Sequence, residues 1–308
     1  MTILCKAELA RGREWQAALA ESVPEVPCRL WPETGDPRDI HYLITWEPSH
    51  DLIETLPHLQ VVFCAGAGID QFDLSRIPPS IPLVRMIEPG ITEDMVEYVV
   101  AATLILHRRF LDYIAFQRAA RWQIIRTKAA AQCRIGIMGL GKLGQAAIAR
   151  LKAFAFPLHG WSRSPHVLDG VACFAGDEQL DMFLHHCDIL ICLLPLTAAT
   201  RGILCKRAFD AMPAGAALIN VGRGGHLCEN DLLDALDSGR LSAAVLDVMA
   251  QEPPSADHPF WKHPRILMTP HIASITNPQS AAQAVADNIR RHRAGQPMHG
   301  QVDRRLGY

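Results

Sequence analysis

Long apolar runs are missing from this chain. No uninterrupted stretch approaches the roughly 18–20 residues that a membrane-spanning helix needs, so no membrane span is expected. An excess of one charge is missing too. Thirty Lys and Arg stand against 32 Asp and Glu. The formal net charge of -2 gives no electrostatic reason to expect nucleic acid or an anionic membrane as a partner. Basic pairs such as Arg108-Arg109 and Arg290-Arg291 are short and read as solvated helix faces. The nine cysteines contain no C-x-x-C pair, so neither a disulfide framework nor structural zinc is supported. Cys64, Cys133 and Cys192 lie inside apolar runs, where a reduced thiol acts as a small core side chain. Met1 to Ala10 carries Lys6 and Glu8, with no apolar stretch before a small-residue cleavage site. No signal peptide is expected, and a reducing cytoplasm is the expected compartment.

What is there suits two globular domains: 308 residues, 49% of them hydrophobic and 20% charged. Up to about residue 90, short apolar runs (Thr2–Cys5, His41–Trp46, Gln60–Cys64, Pro82–Met86) alternate with helical patterns, as in a layered α/β fold. Pro89-Gly90 then punctuates the chain. Thr92 reads as a helix N-cap, with Glu93 and Asp94 in a first turn that favours acids. Val96, Val99, Val100 and Leu104 repeat at helical spacing, and one long helix is expected to continue towards Ala120. Further apolar runs follow at Arg134–Met138, Leu158–Trp161, Asp188–Leu194, Ala216–Asn220, Ala243–Val248 and Arg265–Met268. Continuous runs of this kind suit a parallel sheet covered on both faces. Helices are expected over Gln145–Phe154, Glu229–Asp237 and Pro278–Arg293. The last would return the chain to its first domain, giving a domain of residues 1–96 plus 276–308, a second of 97–275, and a cleft between them.

The run Arg134–Met138 is followed by Gly139-Leu140-Gly141-Lys142-Leu143-Gly144 and then by a helical pattern. A lone G-x-G-x-x-G says little; between a strand and a helix it suits a dinucleotide. Gly139 permits the tight turn, Gly141 lets backbone approach a pyrophosphate, and Gly144 lets helix and strand pack closely. The amides at the helix start, from Lys142 and Leu143 onward, would face the phosphates. An ordinary βα turn is the competing reading. The next strand ends at Ser162-Arg163-Ser164, with no acid before Asp169. An NAD site usually has an acid about 20 residues on, accepting from the ribose hydroxyls. An arginine between hydroxyls suits a 2′-phosphate instead, so NADP(H) is expected to be preferred, with NAD(H) possible. A solvated Arg163 with no preference is the alternative.

Three segments then each place a reactive side chain just after an apolar run: Arg223 in Asn220-Val221-Gly222-Arg223-Gly224, Glu252 before Pro253, and His271 in Thr269-Pro270-His271. Ligands of doubly wound sheets sit outside the carboxyl ends of the strands. A planar, always charged guanidinium can grip a carboxylate, and an imidazolium can protonate an alkoxide near neutral pH. A carboxylate on the other ring nitrogen favours the charged imidazole. Arg223, Glu252 and His271 are therefore the candidate catalytic set for reducing a 2-oxo acid. Asp247, which ends its own run, either meets a nicotinamide carboxamide or caps a turn. His185-His186-Cys187 offers no third ligand at useful spacing, so no metal is expected.

Across nearly its whole length the chain resembles the D-isomer-specific 2-hydroxyacid dehydrogenases. The residues carrying the resemblance are Arg223 in a V-G-R-G-like turn, Glu252 before proline, His271 in T-P-H, and the loop Ala65-Gly66-Ala67-Gly68-Ile69-Asp70. It implies two Rossmann-like or flavodoxin-like doubly wound domains. It also implies that the amides of Ala65, Gly66, Ala67 and Gly68 hold the substrate carboxylate together with Arg223. Cofactor contacts would extend to Leu194, Pro195, Val221, Gly222, Asp247, His271 and Ala273. Trp161-Ser162-Arg163, Phe174-Ala175-Gly176, Gly300 to Arg304 and Gly307-Tyr308 are similar to an NADPH-preferring subgroup that reduces glyoxylate and hydroxypyruvate. In that subgroup Trp46 would border the substrate side chain; a core tryptophan is the other reading. Met249 departs from the aromatic common in relatives and is expected to alter packing rather than chemistry. A homodimer is implied. A dehydrogenase for a bulkier D-2-hydroxy acid and a dinucleotide-sensing binding protein remain the alternatives.

Overall fold

The computed structural model describes residues 1–47 and 50–305; Gly307-Tyr308, part of the resemblance, lie outside the described residues. The chain divides into two compact units, residues 1–91 with 275–308, and residues 92–274. Among the described residues no helix is long and apolar enough to cross a membrane.

The first unit holds β1 (Thr2–Lys6), α1 (Leu9–Ser22), β2 (Cys28–Leu30), β3 (Ile40–Thr45), α2 (His50–Glu54), β4 (Val61–Cys64) and β5 (Leu83–Val84). Its five strands are parallel in the order β2-β1-β3-β4-β5. The order reverses between β1 and β3, the flavodoxin-like pattern. Leu4, Leu43, Val62 and Leu83 bury one face of that sheet with Phe72, Ile77 and Val302. Residues 300–304 stitch onto the same unit. Val84 bridges Gln301, and Arg304 donates to the carbonyls of Leu74, Ile77, Pro78 and Ile81.

The second unit contains α3 (Pro89–His107, whose first turn belongs to the first unit), α4 (Phe110–Arg118), β6 (Ile135–Met138), α5 (Lys142–Leu151), β7 (Leu158–Ser162), β8 (Val171–Ala175), α6 (Leu180–His185), β9 (Ile189–Cys192), α7 (Lys206–Ala211), β10 (Ala216–Asn220), α8 (Glu229–Asp237), β11 (Leu241–Leu246) and β12 (Ile266–Met268). The strands form one parallel sheet, β12-β11-β10-β9-β6-β7-β8. The chain winds outward from β6 to β8, then restarts at β9 and winds the other way. That leaves a switch point between β6 and β9, where open α/β sheets bind ligands. Alternate residues feed two cores. Leu190, Cys192, Leu218 and Leu246 pack with Phe183, Phe209 and Leu232 on one face. Ile189, Ile191, Ile219 and Val245 pack with Val99, Ala147 and Leu151 on the other. Burial of both faces is why these strands read as unbroken apolar runs. Finally α9 (Pro278–Arg293) rejoins the first unit and packs on α1. Asn277 caps it through Gln279, and Ala281, Ala282, Val285 and Ile289 form its buried stripe.

Three sequence expectations are corrected. α3 starts at Pro89, not after Thr92. Glu88, itself buried, accepts from the Gly90 and Ile91 amides at 2.7 and 3.1 Å, and proline suits the first helical position. The single helix towards Ala120 is two helices, because Arg109 adopts a left-handed conformation (φ 62°) between α3 and α4. No glycine or proline marks that step, and the apolar spacing runs across it. The strands β2 and β8 were not anticipated. Both are edge strands whose side chains are only half buried or exposed, so neither shows a strong apolar run.

Candidate active site

The glycine turn between β6 and α5 is sterically specified. Gly139 has φ +102°, and a Cβ there would stand 2.8 Å from the Leu193 carbonyl oxygen. A Cβ on Gly144 would collide with the Gly139 carbonyl oxygen, so α5 sits directly on the turn. Gly141 differs: an added Cβ meets nothing within 4 Å. Gly141 is also the N-cap of α5 and offers no side-chain cap to the amides of Lys142, Leu143 and Gly144. An uncapped ten-residue helix behind an open glycine fits a pyrophosphate, through both amide donors and helix dipole. At the end of β7, exposed Arg163 stands between Ser162, whose hydroxyl donates to the Ser164 carbonyl at 2.8 Å, and Ser164 itself.

The three reactive side chains come from loops that follow β10, β11 and β12, which are adjacent strands. His271 Nδ1 lies 2.7 Å from Glu252 Oε2, and Glu252 Oε1 accepts from the Met249 amide at 2.9 Å. Burial pushes the Glu252 carboxyl up. The hydrogen bonds from His271 and Met249, with the charges of His271 and Arg223, outweigh it and hold the group below the ordinary carboxylate range. The structure thus brings a guanidinium, a carboxylate and an imidazole to one edge of one sheet. Arg223 is half buried, with Nη1 donating to the Gly222 carbonyl at 2.8 Å. Met249 is buried in the unit's core.

His271 has φ 55°, a left-handed backbone unusual for a residue with a side chain. Asp247 holds it there. The carboxylate is fully buried; Oδ1 accepts from Thr269 Oγ1 at 2.6 Å and Ile272 N at 2.8 Å, and Oδ2 accepts from Ala273 N at 2.8 Å. The Asp247 carbonyl accepts from the His271 amide at 2.9 Å. Of the two readings of Asp247, these bonds support the turn-fixing one. Tyr98 extends the group, its hydroxyl 2.5 Å from Thr269 Oγ1. Burial pushes the Tyr98 hydroxyl up to about 12, so it stays a hydrogen-bond donor at neutral pH.

Several supporting residues were not singled out from sequence. Asn220 Nδ2 donates to the Arg223 carbonyl at 3.1 Å and its Oδ1 accepts from the Gly222 amide at 3.2 Å. His226 is buried beside them. Glu229 accepts from the Ala250 amide at 3.3 Å and lies 3.2 Å from His258 Nε2, bracing the loop that carries Glu252. Only Asn220 carried a signal, as the last residue of an apolar run. The cofactor-side candidates Leu194, Val221 and Ala273 are buried in the segments that follow β9, β10 and β12, and Pro195 is exposed. His186 stacks on His159 at 5.2 Å, and among the described residues no cluster of three or more metal-ligating side chains forms.

In the first unit, Trp46 lies against the 65–68 loop: a Cβ on Gly66 would collide with the indole. At 44% exposure Trp46 is not a core residue. Thr276 Oγ1 donates to the Ala65 carbonyl at 2.7 Å, the Met86 amide to the Gly66 carbonyl at 2.9 Å, and Gln71 Nε2 to the Trp46 carbonyl at 2.8 Å. The first two bonds hold the Ala65 and Gly66 carbonyls of the loop, and the third the backbone of Trp46 beside it.

A doubly wound sheet with this glycine turn and an Arg-Glu-His set defines the class, and sequence comparison agrees. The family model described as D-isomer specific 2-hydroxyacid dehydrogenase, NAD binding domain, matches residues 100–273. The chain belongs to the D-isomer-specific 2-hydroxyacid dehydrogenase family, whose members are oxidoreductases. It is 41% identical to glyoxylate/hydroxypyruvate reductase A of Serratia proteamaculans (strain 568), with 100% of both chains covered. Among solved structures it is similar to a D-isomer specific 2-hydroxyacid dehydrogenase from Xanthobacter autotrophicus Py2 in complex with NADPH and MES (36% identity, TM-score 0.93, 100% of this chain and 99% of that one). It is also similar to an NADPH-dependent glyoxylate/hydroxypyruvate reductase from Sinorhizobium meliloti in complex with NADP and sulfate (36% identity, TM-score 0.92, 100% and 99% coverage).

Proposed function

We propose that this protein is an NADPH-dependent reductase of small 2-oxo acids, converting glyoxylate to glycolate and hydroxypyruvate to glycerate. The observation that carries the reading is the 2.7 Å hydrogen bond between His271 and Glu252, on the strand edge that also holds Arg223. Arg223 grips the substrate carboxylate and polarises the ketone or aldehyde oxygen. His271 delivers a proton from Nε2 to that oxygen while Glu252 holds Nδ1. General acid help of this kind is typically worth about 10²–10⁴-fold. NADPH, when bound, supplies the hydride to the carbonyl carbon. Gly139, Gly141 and Gly144, with the first amides of α5, would hold its pyrophosphate, and Arg163 with Ser162 and Ser164 its 2′-phosphate. Leu194, Pro195, Val221, Gly222 and Ala273 would line the nicotinamide side.

In the same reading residues 97–275 form the cofactor domain, and residues 1–96 with 276–308 the substrate domain. The amides of Ala65, Gly66, Ala67 and Gly68 bind the carboxylate, and Trp46, resting on Gly66, limits the substrate to a small side chain. The protein acts in the cytoplasm as a homodimer. Trp122 and Ile124, 103% and 83% exposed on the stretch after α4, support an apolar contact with a second copy; light scattering that returned the 34.0 kDa of one chain would overturn the dimer.

A spectrophotometric screen of 2-oxo acids against NADPH and NADH, side by side, tests the function. Loss of NADPH absorbance with glyoxylate and hydroxypyruvate is expected, faster than with bulky 2-oxo acids or with NADH. No oxidation with any 2-oxo acid would refute the reading, as would His271→Ala with near-native turnover at pH 7.

A further inference from the structure

The fully buried His226 belongs to none of the roles above, yet it touches both sides of the site. It sits in the short turn that follows Arg223. Its Nδ1 lies 3.0 Å from the Arg223 backbone amide and 3.1 Å from the Arg223 carbonyl, and its Nε2 lies 3.2 Å from the Pro195 carbonyl. A carbonyl oxygen can only accept, so Nε2 carries the proton. A backbone amide can only donate, so the lone pair is on Nδ1. The neutral Nε2–H tautomer satisfies both, and the Arg223 carbonyl, also near Nδ1, takes its side-chain donor from Asn220 Nδ2.

The surrounding backbone is shaped around this ring. A Cβ on Gly222 would stand 3.0 Å from His226 Cε1 and Nδ1, so a side chain there would press on the imidazole. Asn220 grips the same two residues from the other side, through the Gly222 amide and the Arg223 carbonyl. The Arg223 backbone is therefore fixed on its amide and on its carbonyl, by two different side chains. Pro195, the other end of the bridge, follows β9, the strand beside β10. One ring thus joins the loop assigned to the nicotinamide with the origin of the arginine assigned to the carboxylate.

We infer that His226 is a positioning residue with two separable duties. Nδ1 fixes the arginine that receives the 2-oxo acid, and Nε2 fixes the Pro195 carbonyl on the cofactor side. The inference rests on the functional reading above. It needs no contact between His226 and either ligand. Its force is geometric: a long side chain reaches its target only if its root is held, and misplacement of about 1 Å can cost on the order of a hundredfold in rate.

Two conservative variants separate the duties. In His226→Asn the side-chain oxygen takes the place of Nδ1 and the donor to Pro195 is lost. In His226→Gln the amide takes the place of Nε2 and the acceptor for Arg223 is lost. His226→Asn is expected to keep the glyoxylate KM within threefold of wild type while NADPH affinity, read by fluorescence without oxo acid, falls at least fivefold. His226→Gln is expected to keep NADPH affinity and to raise the glyoxylate KM at least tenfold. Both constants moving together in both variants, or a lowered melting temperature with neither constant changed, would overturn the inference. Should either variant fail to fold, the 15N shifts of His226 in the wild-type protein decide: an Nε2–H tautomer supports it and an Nδ1–H tautomer overturns it. A wild type inert to glyoxylate and NADPH would sink the functional reading instead, and the tautomer and NADPH affinity would still judge His226.

Discussion

Replacing Asp247 with asparagine should unfasten the loop that carries His271. Two carboxylate oxygens accept three donors, from Thr269, Ile272 and Ala273, at 2.6–2.8 Å in a site closed to water. Asparagine has one acceptor oxygen. Turned to keep Thr269 and Ile272, its NH₂ faces the Ala273 amide, donor against donor. An unsatisfied buried N–H costs about 1–3 kcal/mol. The two surviving bonds lose their charge and with it roughly half their strength, about 1 kcal/mol each. The sum is about 3–5 kcal/mol, a large share of the roughly 5–15 kcal/mol that keeps a domain folded. Urea unfolding should show a clearly lower midpoint. Exchange at the Ile272 and Ala273 amides should quicken by about a hundredfold or more, since each 1.4 kcal/mol is tenfold. Turnover should fall as well, because the left-handed backbone at His271 loses what holds it. An unmoved midpoint, with both amides exchanging at the wild-type rate, would refute the reasoning.

Two glycines separate folding from binding. Gly144→Ala forces α5 away from the turn, so melting temperature and NADPH affinity should both drop, with about 1–3 kcal/mol of stability lost. Gly141→Ala should leave the melting temperature unchanged and cut NADPH affinity alone; equal destabilisation by the two would count against the assigned roles. Because the folded Glu252 carboxyl is held below its ordinary value of 4.5, its contribution to stability is complete above that pH and is lost as pH falls through the lowered value. The melting-temperature gap between wild type and Glu252→Gln should therefore be constant near pH 6 and close below pH 4.5; a gap that widens in acid would contradict the pairing. Arg163→Ala should raise the KM for NADPH far more than that for NADH, and equal effects would remove Arg163 from the cofactor site.

The sequence showed the fold wherever a strand or helix is buried on a regular period. The helical patterns expected over Glu229–Asp237 and from about Pro278 to Arg293 are α8 and α9, each burying one regular apolar stripe. Legibility failed at edges and at single-residue events. The strand β8 is half exposed, Arg109 turns left-handed with no glycine to announce it, and Glu88 caps α3 from just outside a proline that reads as a stop. At the site, the strand ends that carry Arg223, Glu252 and His271 were visible as three interrupted apolar runs. Their supports were not. His226 meets a carbonyl 31 residues away and Tyr98 a hydroxyl 171 residues away, and no local spacing encodes such contacts.

The division of the chain has a consequence for its synthesis. Residues 92–274 are contiguous, so that unit has every strand of its sheet once residue 274 has left the ribosome. Residues 1–91 emerge earlier but lack α9 and the 300–304 stitch, including Val302 in the core and the Arg304 guanidinium that ties four carbonyls. The two units therefore become complete in the reverse of the order in which they begin: the segment made first is completed last, and until then it lacks the helix that covers its α1 face.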